Sequence, residues 1–450
     1  MAAGLMPVGK AMSSPPPFSG ERAIGAAGAA GISRGSLAIA AFSTIVEWYD
    51  FTLYLYFATV LSRVFFGPGE ASLLLTLGGF AIAYLMRPLG AVYFGHIGDR
   101  TGRRPMLLFS VALMTATMLA TAALPTFSQI GVAAGWLLFL LRCLMGFSVG
   151  GEYTGVVAYL LEGAPTHRRG LIASLASAAS EIGALLAVGI SALTVSLLDE
   201  VSLQSWGWRI PFLFGAGLAA TVWIARSTME ESPEFDRQVA QGTVPASPLR
   251  HCIASHRGAV ARAFAISALG SITYYVGITY VPAFLTSAGA LSETASLWLS
   301  TLAAVMVILV TPFAGIWSDR VGRKPVLAAL ALGNAVLPVA MFSLMASGSH
   351  FQALGGALVL AALAGGVSAV GAVATAEQFP GEGRVTGLAL GATGATAIFG
   401  GLTPYLAQLL IEETGLAVAP GIMIALVGLC VLPLFLLMKE TAPLRAVQAG

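Results

Sequence analysis

The segment IVEWYDFTLYLY, residues 45–56, sets two carboxylates, Glu47 and Asp50, three residues apart in a run that is otherwise apolar and aromatic. On a helix this spacing is about 300° of rotation, so both side chains can face one interior. A carboxylate sheltered from water holds a proton more readily than a solvated one, and an arginine beside it reverses that preference. An acid whose arginine partner moves between two conformations therefore has a conformation-dependent proton affinity, which is what coupling proton flow to another movement requires. Arg87, Arg142, Glu152 and Glu181 also fall in apolar stretches. An unpaired charge there costs several kcal/mol by order of magnitude, so each must be neutralised or used. The candidate proton-coupling acids are Glu47, Asp50, Glu152 and Glu181. Arg87 and Arg142 offer planar, bidentate sites for a solute carboxylate, or neutralise the acids. Tyr153 lies eleven residues after Arg142, about 20° away on the helical wheel and roughly 16 Å along the axis. Tyr274 and Tyr275, in ITYYVGITY with Tyr280, and Trp298 add hydroxyls for a carboxylate and faces for a quaternary ammonium. The candidate solute-binding set is Arg87, Arg142, Tyr153, Tyr274 and Tyr275.

The elements that must hold these residues are membrane helices. The chain has 450 residues, 57% hydrophobic and 10% charged, against roughly 25% charged in a soluble protein. Apolar stretches of about 20 residues recur between short polar breaks, as bilayer-spanning helices require. The expected spans are 36–61, 72–94, 106–124, 131–161, 170–198, 208–227, 262–287, 295–317, 325–346, 353–376, 385–411 and 417–438. The expected fold class is an all-α membrane protein with twelve transmembrane helices in two six-helix bundles. Residues 34–228 form the first bundle and 262–440 the second, with a cytoplasmic linker at 229–261 and a C-terminal tail at 441–450. Residues 1–33 lack the continuous apolar core of a signal peptide and read as a disordered cytoplasmic tail. Lys and Arg concentrate in the tails and the even-to-odd loops, which puts both termini in the cytoplasm. WGWRIPF, residues 206–212, reads as an interfacial anchor before helix 6, and Gly400, Gly401 and Pro404 predict a break in helix 11.

Several functions drop out. A net charge of +2 gives no footprint for nucleic acid. Three scattered cysteines form no disulfide framework or metal spacing, so no metal and no cofactor are expected. The five histidines fall in loops or at helix ends, which removes an intramembrane histidine relay. No Ser/His pair or phosphate-binding glycine loop supports an enzyme.

The chain also repeats itself. GHIGDRTGRRPML (95–107) follows span 2 and GIWSDRVGRKPVL (315–327) follows span 8. Two matched halves are a transporter arrangement, with the solute site between them near the midplane. Glycines at 95, 98 and 102 permit the tight turn, and Asp99 suits a neighbouring helix N-terminus. Arg100, Arg103 and Arg104 can hold an acid such as Glu162. Gly95, Asp99, Arg100, Gly102, Arg103, Arg104, Glu162, Asp319, Arg320 and Arg323 are the expected gating residues, a latch closing the cytoplasmic side.

The repeated loop resembles the signature G-x-x-x-D-R-x-G-R-R/K of the major facilitator superfamily. EWYDF (47–51), FFGPG (65–69), MRPLGAVYFGHIGDR (86–100), RCLMGFSVGGEYTGVVAYLLEGAP (142–165), WGWRIPF and MEESPEF (229–235) resemble its metabolite:proton symporter family. EQFPGEGR (377–384) and FGGLTP (399–404) agree more loosely, and the likeness spans about residues 36–440. The chain has Ser43 and Thr44 where that family usually has Gly-Asn, and it lacks the heptad-patterned tail of the osmosensing members. The resemblance implies a proton-coupled importer of a small organic acid, such as a di- or tricarboxylate, working by alternating access. A zwitterionic osmolyte (proline or betaine) is the alternative solute, and a proton antiporter exporting amphipathic compounds is a lesser one. The expected partners are the solute, protons and membrane lipid, with the protein a monomer in the bacterial cytoplasmic (inner) membrane.

Overall fold

The structure is a computed structural model that describes residues 34–69, 72–101, 103–150, 156, 169–228, 240–241, 256–288, 291–379 and 387–442. Twelve helical spans follow one another among these residues. In the first half α1 runs Arg34–Tyr56 and resumes as Ala58–Phe66, α2 is Ser72–Thr101, α3 Arg103–Ala122, α4 Ala133–Val149, α5 Arg169–Leu197 and α6 Arg209–Ser227. In the second half α7 is Arg257–Tyr274, continued by a π-helical turn (Tyr275–Thr279) and by Val281–Ser287. Then come α8 (Glu293–Val321), α9 (Arg323–Met345) and α10 (His350–Glu377). The segmented α11 passes through π turns at Ala389–Thr393 and Ala397–Leu402 to end as Thr403–Thr414, and α12 is Ala419–Leu437.

Ten of these helices have the length and hydropathy to cross a bilayer. Their outer surface is apolar: Leu75, Ile82, Phe109, Trp223, Phe313, Leu426 and Leu437 are all exposed. In water such a shell would aggregate, whereas lipid tails solvate it. Polar side chains turn inward instead, with Ser43, Thr44, Thr52, Thr76, Ser177 and Asn334 buried. The chain is a multi-pass membrane protein. Within the first bundle α1 packs on α5 and α6, and α2 on α4. Within the second, α7 and α8 pack on α10, and α9 on α12. The halves meet mainly where α5 lies along α8 and α10 and where α2 meets α11.

Local chemistry sets the ends. Gly322 sits at φ +114° between α8 and α9, in a conformation L side chains rarely adopt, so the turn there needs glycine. The break predicted in α11 is present, with Gly400 and Gly401 in its second π turn and Pro404 in the first turn of the segment after it. α7 begins at Arg257 rather than at 262. Trp206 is exposed as an anchor should be, but Trp208 is fully buried, edge-on to Phe65 at 4.9 Å. Residues two apart on a helical turn point in different directions, so one tryptophan of WGW meets the boundary and the other the core.

Candidate functional site

Two carboxylates on α1 meet two arginines from neighbouring helices of the same bundle. Arg87 of α2 donates from Nη2 to Glu47 Oε1 at 2.9 Å and from Nη1 to the Tyr84 hydroxyl at 2.8 Å. Its guanidinium lies 4.3 Å from the Phe51 ring centroid and 4.9 Å from that of Tyr84. Arg142 of α4 reaches Asp50 with both terminal nitrogens, at 3.3 and 3.4 Å, above the rings of Tyr54 and Phe212. All four ionisable side chains are buried, at 9% exposure or less. Opposite charge and hydrogen bonds compensate what burial costs each ion. Since both pairs lie inside the first bundle, rigid rocking of one half against the other separates neither. The expectation that an arginine moves away from its acid as the halves rock is not met by this geometry.

Across the bundle boundary, the Tyr84 hydroxyl sits 3.0 Å from the Tyr275 hydroxyl of α7. Arg87, Tyr84 and Tyr275 thus form one hydrogen-bonded chain from the acid of α1 to the second half. Beside it opens a cavity of about 160 Å³ lined by Trp48, Arg87, Glu181, Tyr274 and Tyr275, with serine and threonine hydroxyls from α7, α10 and α11. Val149, Gly150, Thr375, Leu388 and Ala392 extend its wall toward the helix ends that carry the repeated DR-x-G-R motif. Trp48 and Tyr274 meet edge-to-face at 5.3 Å. Glu181, at the middle of α5 and 2% exposed, faces this cavity beside Tyr274.

Each end of the molecule carries ties between the halves. On the motif face, the carboxylate of Asp319 accepts the backbone N–H groups of Gly170 and Leu171, both at 3.0 Å. An anion at that helix N-terminus gains from both the unsatisfied donors and the helix dipole. A Cβ on Gly170 would stand 2.5 Å from Asp319 Oδ1, so the contact needs glycine there. Arg323 bonds Asp319 at 2.8 Å, Ser318 at 2.9 Å and Glu377 at 3.3 Å, fully buried. On the opposite face Arg63 pairs with Glu293 of α8 at 2.9 Å and with Glu200 at 3.0 Å, and the Thr59 hydroxyl donates to Glu293.

Of the residues singled out from sequence, Glu47, Asp50, Arg87, Arg142, Glu181, Tyr274 and Tyr275 converge on the membrane centre. Arg87, Glu181, Tyr274 and Tyr275 line the cavity, while Arg142 is held behind it by Asp50. Tyr280 turns away to donate to Gln408, and Trp298 lies half exposed toward the opposite face, donating to Ser196. Asp319 and Arg323 form the tie described above, Arg320 is in the last turn of α8, and Arg104 donates to the Ser227 carbonyl. Gly95, Asp99 and Arg100 lie on the last turns of α2 and Arg103 opens α3, with side chains outside the described part. Gly102, Glu152, Tyr153 and Glu162 lie outside the described residues. Sequence reasoning missed Trp48, Tyr84, Arg63 and Glu293. Tyr84 had a signal, since it precedes Arg87 by three and so shares its helix face.

Residues 37–247 match the family described as Sugar (and other) transporter, and residues 288–450 match the Major Facilitator Superfamily. The ectoine/proline transporter of Corynebacterium glutamicum is 32% identical over 395 residues, covering 84% of this chain and 78% of that protein. The citrate-proton symporter of Klebsiella pneumoniae is 31% identical over 408 residues, covering 89% of this chain and 91% of that one. Among solved structures, a partially occluded, inward-open conformation of the xylose transporter of E. coli superposes with a TM-score of 0.71. It is 21% identical and covers 90% of this chain and 98% of its own, a likeness of fold.

Proposed function

Because this chain belongs to the major facilitator superfamily of membrane transporters, we propose that it is a proton-driven symporter importing a small zwitterion that bears a carboxylate. The observation that carries the reading is the make-up of the inter-bundle cavity. It offers one guanidinium, Arg87, whose charge Glu47 already offsets, one further acid, Glu181, and the aromatic surfaces of Trp48, Tyr274 and Tyr275. A di- or tricarboxylate would bring two or three negative charges to a wall with no surplus positive charge. A zwitterion brings none in sum. Its carboxylate lies against Arg87, and its cationic end lies on aromatic faces, a contact worth about 0.5–2 kcal/mol. The likeness to an ectoine/proline transporter supports this choice. A di- or tricarboxylate is the second reading, favoured by the Arg87 guanidinium and by the likeness to a citrate-proton symporter.

In this reading the motif face is cytoplasmic and the membrane is the bacterial inner membrane. Solute and proton enter from the opposite face, the ties there re-form, and the Asp319 latch releases both inward. One proton moving down the membrane potential supplies roughly 2.3 kcal/mol per 100 mV, enough to concentrate a solute many-fold. Purified protein in vesicles acidified outside should accumulate radiolabelled proline, glycine betaine or ectoine above equilibrium. Accumulation of citrate or 2-oxoglutarate in their place selects the second reading. No uptake across the panel refutes both.

A further inference from the structure

Resting on that symport reading, we infer that Glu181 carries the coupled proton, with Tyr274 as the group on the other half that senses it. Of the acids at the membrane centre among the described residues, Glu47 and Asp50 each have an arginine, and both pairs stay within one bundle. Glu181 has neither property. Its Oε2 has no hydrogen bond of good geometry among the described residues, and the hydroxyls of Tyr274 (α7) and Tyr56 (α1) lie beside it, with Tyr274 close enough to bond either. A buried carboxylate oxygen at a cavity wall without a well-formed hydrogen bond is about 1–3 kcal/mol worse than when bonded, and marks a place where a proton or ligand completes the bonding.

Among the described residues the surroundings contain no competing base that lacks an arginine. Tyr56 faces Glu181 from α1 and Tyr274 from α7, while Arg87 of α2 shares the cavity but is held by Glu47 and Tyr84. The other helices packed on α5 carry their titratable groups at their ends. These are Arg209 and Arg226 on α6, Glu293, Asp319 and Arg320 on α8, and His350 and Glu377 on α10.

The chemistry of coupling follows. A solute carboxylate entering beside Arg87 meets a like charge on an ionised Glu181, and the two anions repel. A proton taken from water onto Glu181 Oε2 removes the repulsion and exchanges the charge-assisted bond that the Tyr274 O–H can give the carboxylate for one that the neutral carboxyl can give the Tyr274 oxygen. Solute and proton therefore favour each other, while the Glu181–Tyr274 contact across the bundle boundary is kept with its donor reversed. When the other side opens, Tyr274 withdraws, water reaches Glu181, and the same proton leaves with the solute. Atoms balance as one solute and one proton in, one of each out.

The test uses wild type, Glu181→Gln and Glu181→Asp in vesicles loaded with a pH-sensitive dye, with proline as the probe, or whichever solute of the panel the wild type accumulates. Wild type and Glu181→Asp should show proton uptake evoked by the solute and exchange that slows as pH rises. In Glu181→Gln the evoked proton uptake should fall to zero and the remaining exchange should no longer depend on pH. Because Glu181→Gln can fail to fold, wild-type protein is also treated with dicyclohexylcarbodiimide, which attacks protonated buried carboxyls, and mapped by peptide mass spectrometry. Modification should fall on Glu181 and be reduced by proline. Evoked proton uptake retained in Glu181→Gln, or modification of Asp50 or Glu47 in place of Glu181, overturns the assignment while leaving symport intact. A wild type that moves no panel solute fails the symport reading itself.

Discussion

Replacing Asp319 by Asn should open the motif face. The carboxylate accepts two backbone N–H groups from the first turn of α5, at 3.0 Å each, and pairs with Arg323 at 2.8 Å. An asparagine can accept one of those N–H groups through its carbonyl oxygen, but its amide nitrogen cannot accept the other. One charge-assisted bond is lost, worth about 1.5–3 kcal/mol, together with a charge–dipole contribution of about 0.3–1 kcal/mol. Arg323 keeps Glu377, and the Asp319 side chain is 15% exposed, so the sum belongs in the lower part of its range, about 2–3 kcal/mol. Spent on the conformer in which α5 and α8 touch, that shifts the ratio of closed to open forms by roughly 30- to 150-fold. The assay is the maleimide labelling rate of a cysteine placed at Ser177, with the native cysteines replaced by serine. Ser177 is buried and donates to the Ser368 carbonyl across the boundary, so a thiol there reacts only when the halves part. Labelling should rise by at least tenfold in Asp319→Asn. A rate within twofold of the Asp319 background would show that this contact does not hold the face shut.

Gly170→Ala should act in the same direction with every charge retained, because the added methyl would sit 2.5 Å from Asp319 Oδ1 and 2.8 Å from Arg323 Nη1; Ser177→Cys labelling reads it. Asp50→Asn should lower thermal stability in detergent by about 3–5 kcal/mol, since Arg142 stays buried without its counter-charge, whereas Asp50→Leu with Arg142→Met should recover most of the loss. Equal damage in the single and double variants would refute the neutralisation argument. Tyr84→Phe removes an acceptor from Arg87 and should cost about 1–3 kcal/mol, against about 0.5–1.5 for Tyr275→Phe, whose hydroxyl meets only another hydroxyl. Glu293→Gln should loosen the opposite face by at most about 1 kcal/mol, because Arg63 is about a third exposed, and raising salt should mimic it in the wild type.

The helices were legible because lipid imposes a strict length and sidedness, and the repeated DR-x-G-R loop marked two matched halves. The buried charges were legible as a set, since an ion in an apolar run must be compensated. Their pairing was not. Glu47 meets a residue 40 positions away and Asp50 one 92 away, and nothing local in the chain states which arginine goes to which acid. Helix ends were ambiguous for a related reason. Arg226 in the last turn of α6 reads as one more charge setting topology, yet it is 1% exposed and donates to Ser43 at 2.6 Å and to the Leu107 carbonyl at 3.1 Å. Long side chains at a membrane boundary can snorkel outward or turn inward, and periodicity does not choose. The same contact gives a structural reason for a serine at position 43, where the family usually has another residue. Its hydroxyl holds the buried arginine.

Which contacts cross the bundle boundary decides what can respond to rocking. Arg87–Glu47 and Arg142–Asp50 join α1 to α2 and α4, so they travel as part of one rigid body and report little of its motion. Tyr84–Tyr275, Glu181 beside Tyr274, Asp319 on the first turn of α5, and Arg63–Glu293 each join one half to the other. In the proposed cycle they break and re-form. The two charged ties sit at opposite ends, so the proposed cycle opens them alternately, and neither lines the cavity. The two tyrosine contacts sit at the cavity, and of these the one at Glu181 includes a carboxyl. A machine that couples a proton to rocking needs its titrating group at a contact that rocking breaks. By that criterion the proposed coupling falls to the acid of α5, while the paired acids of α1 neutralise the buried Arg87 and Arg142.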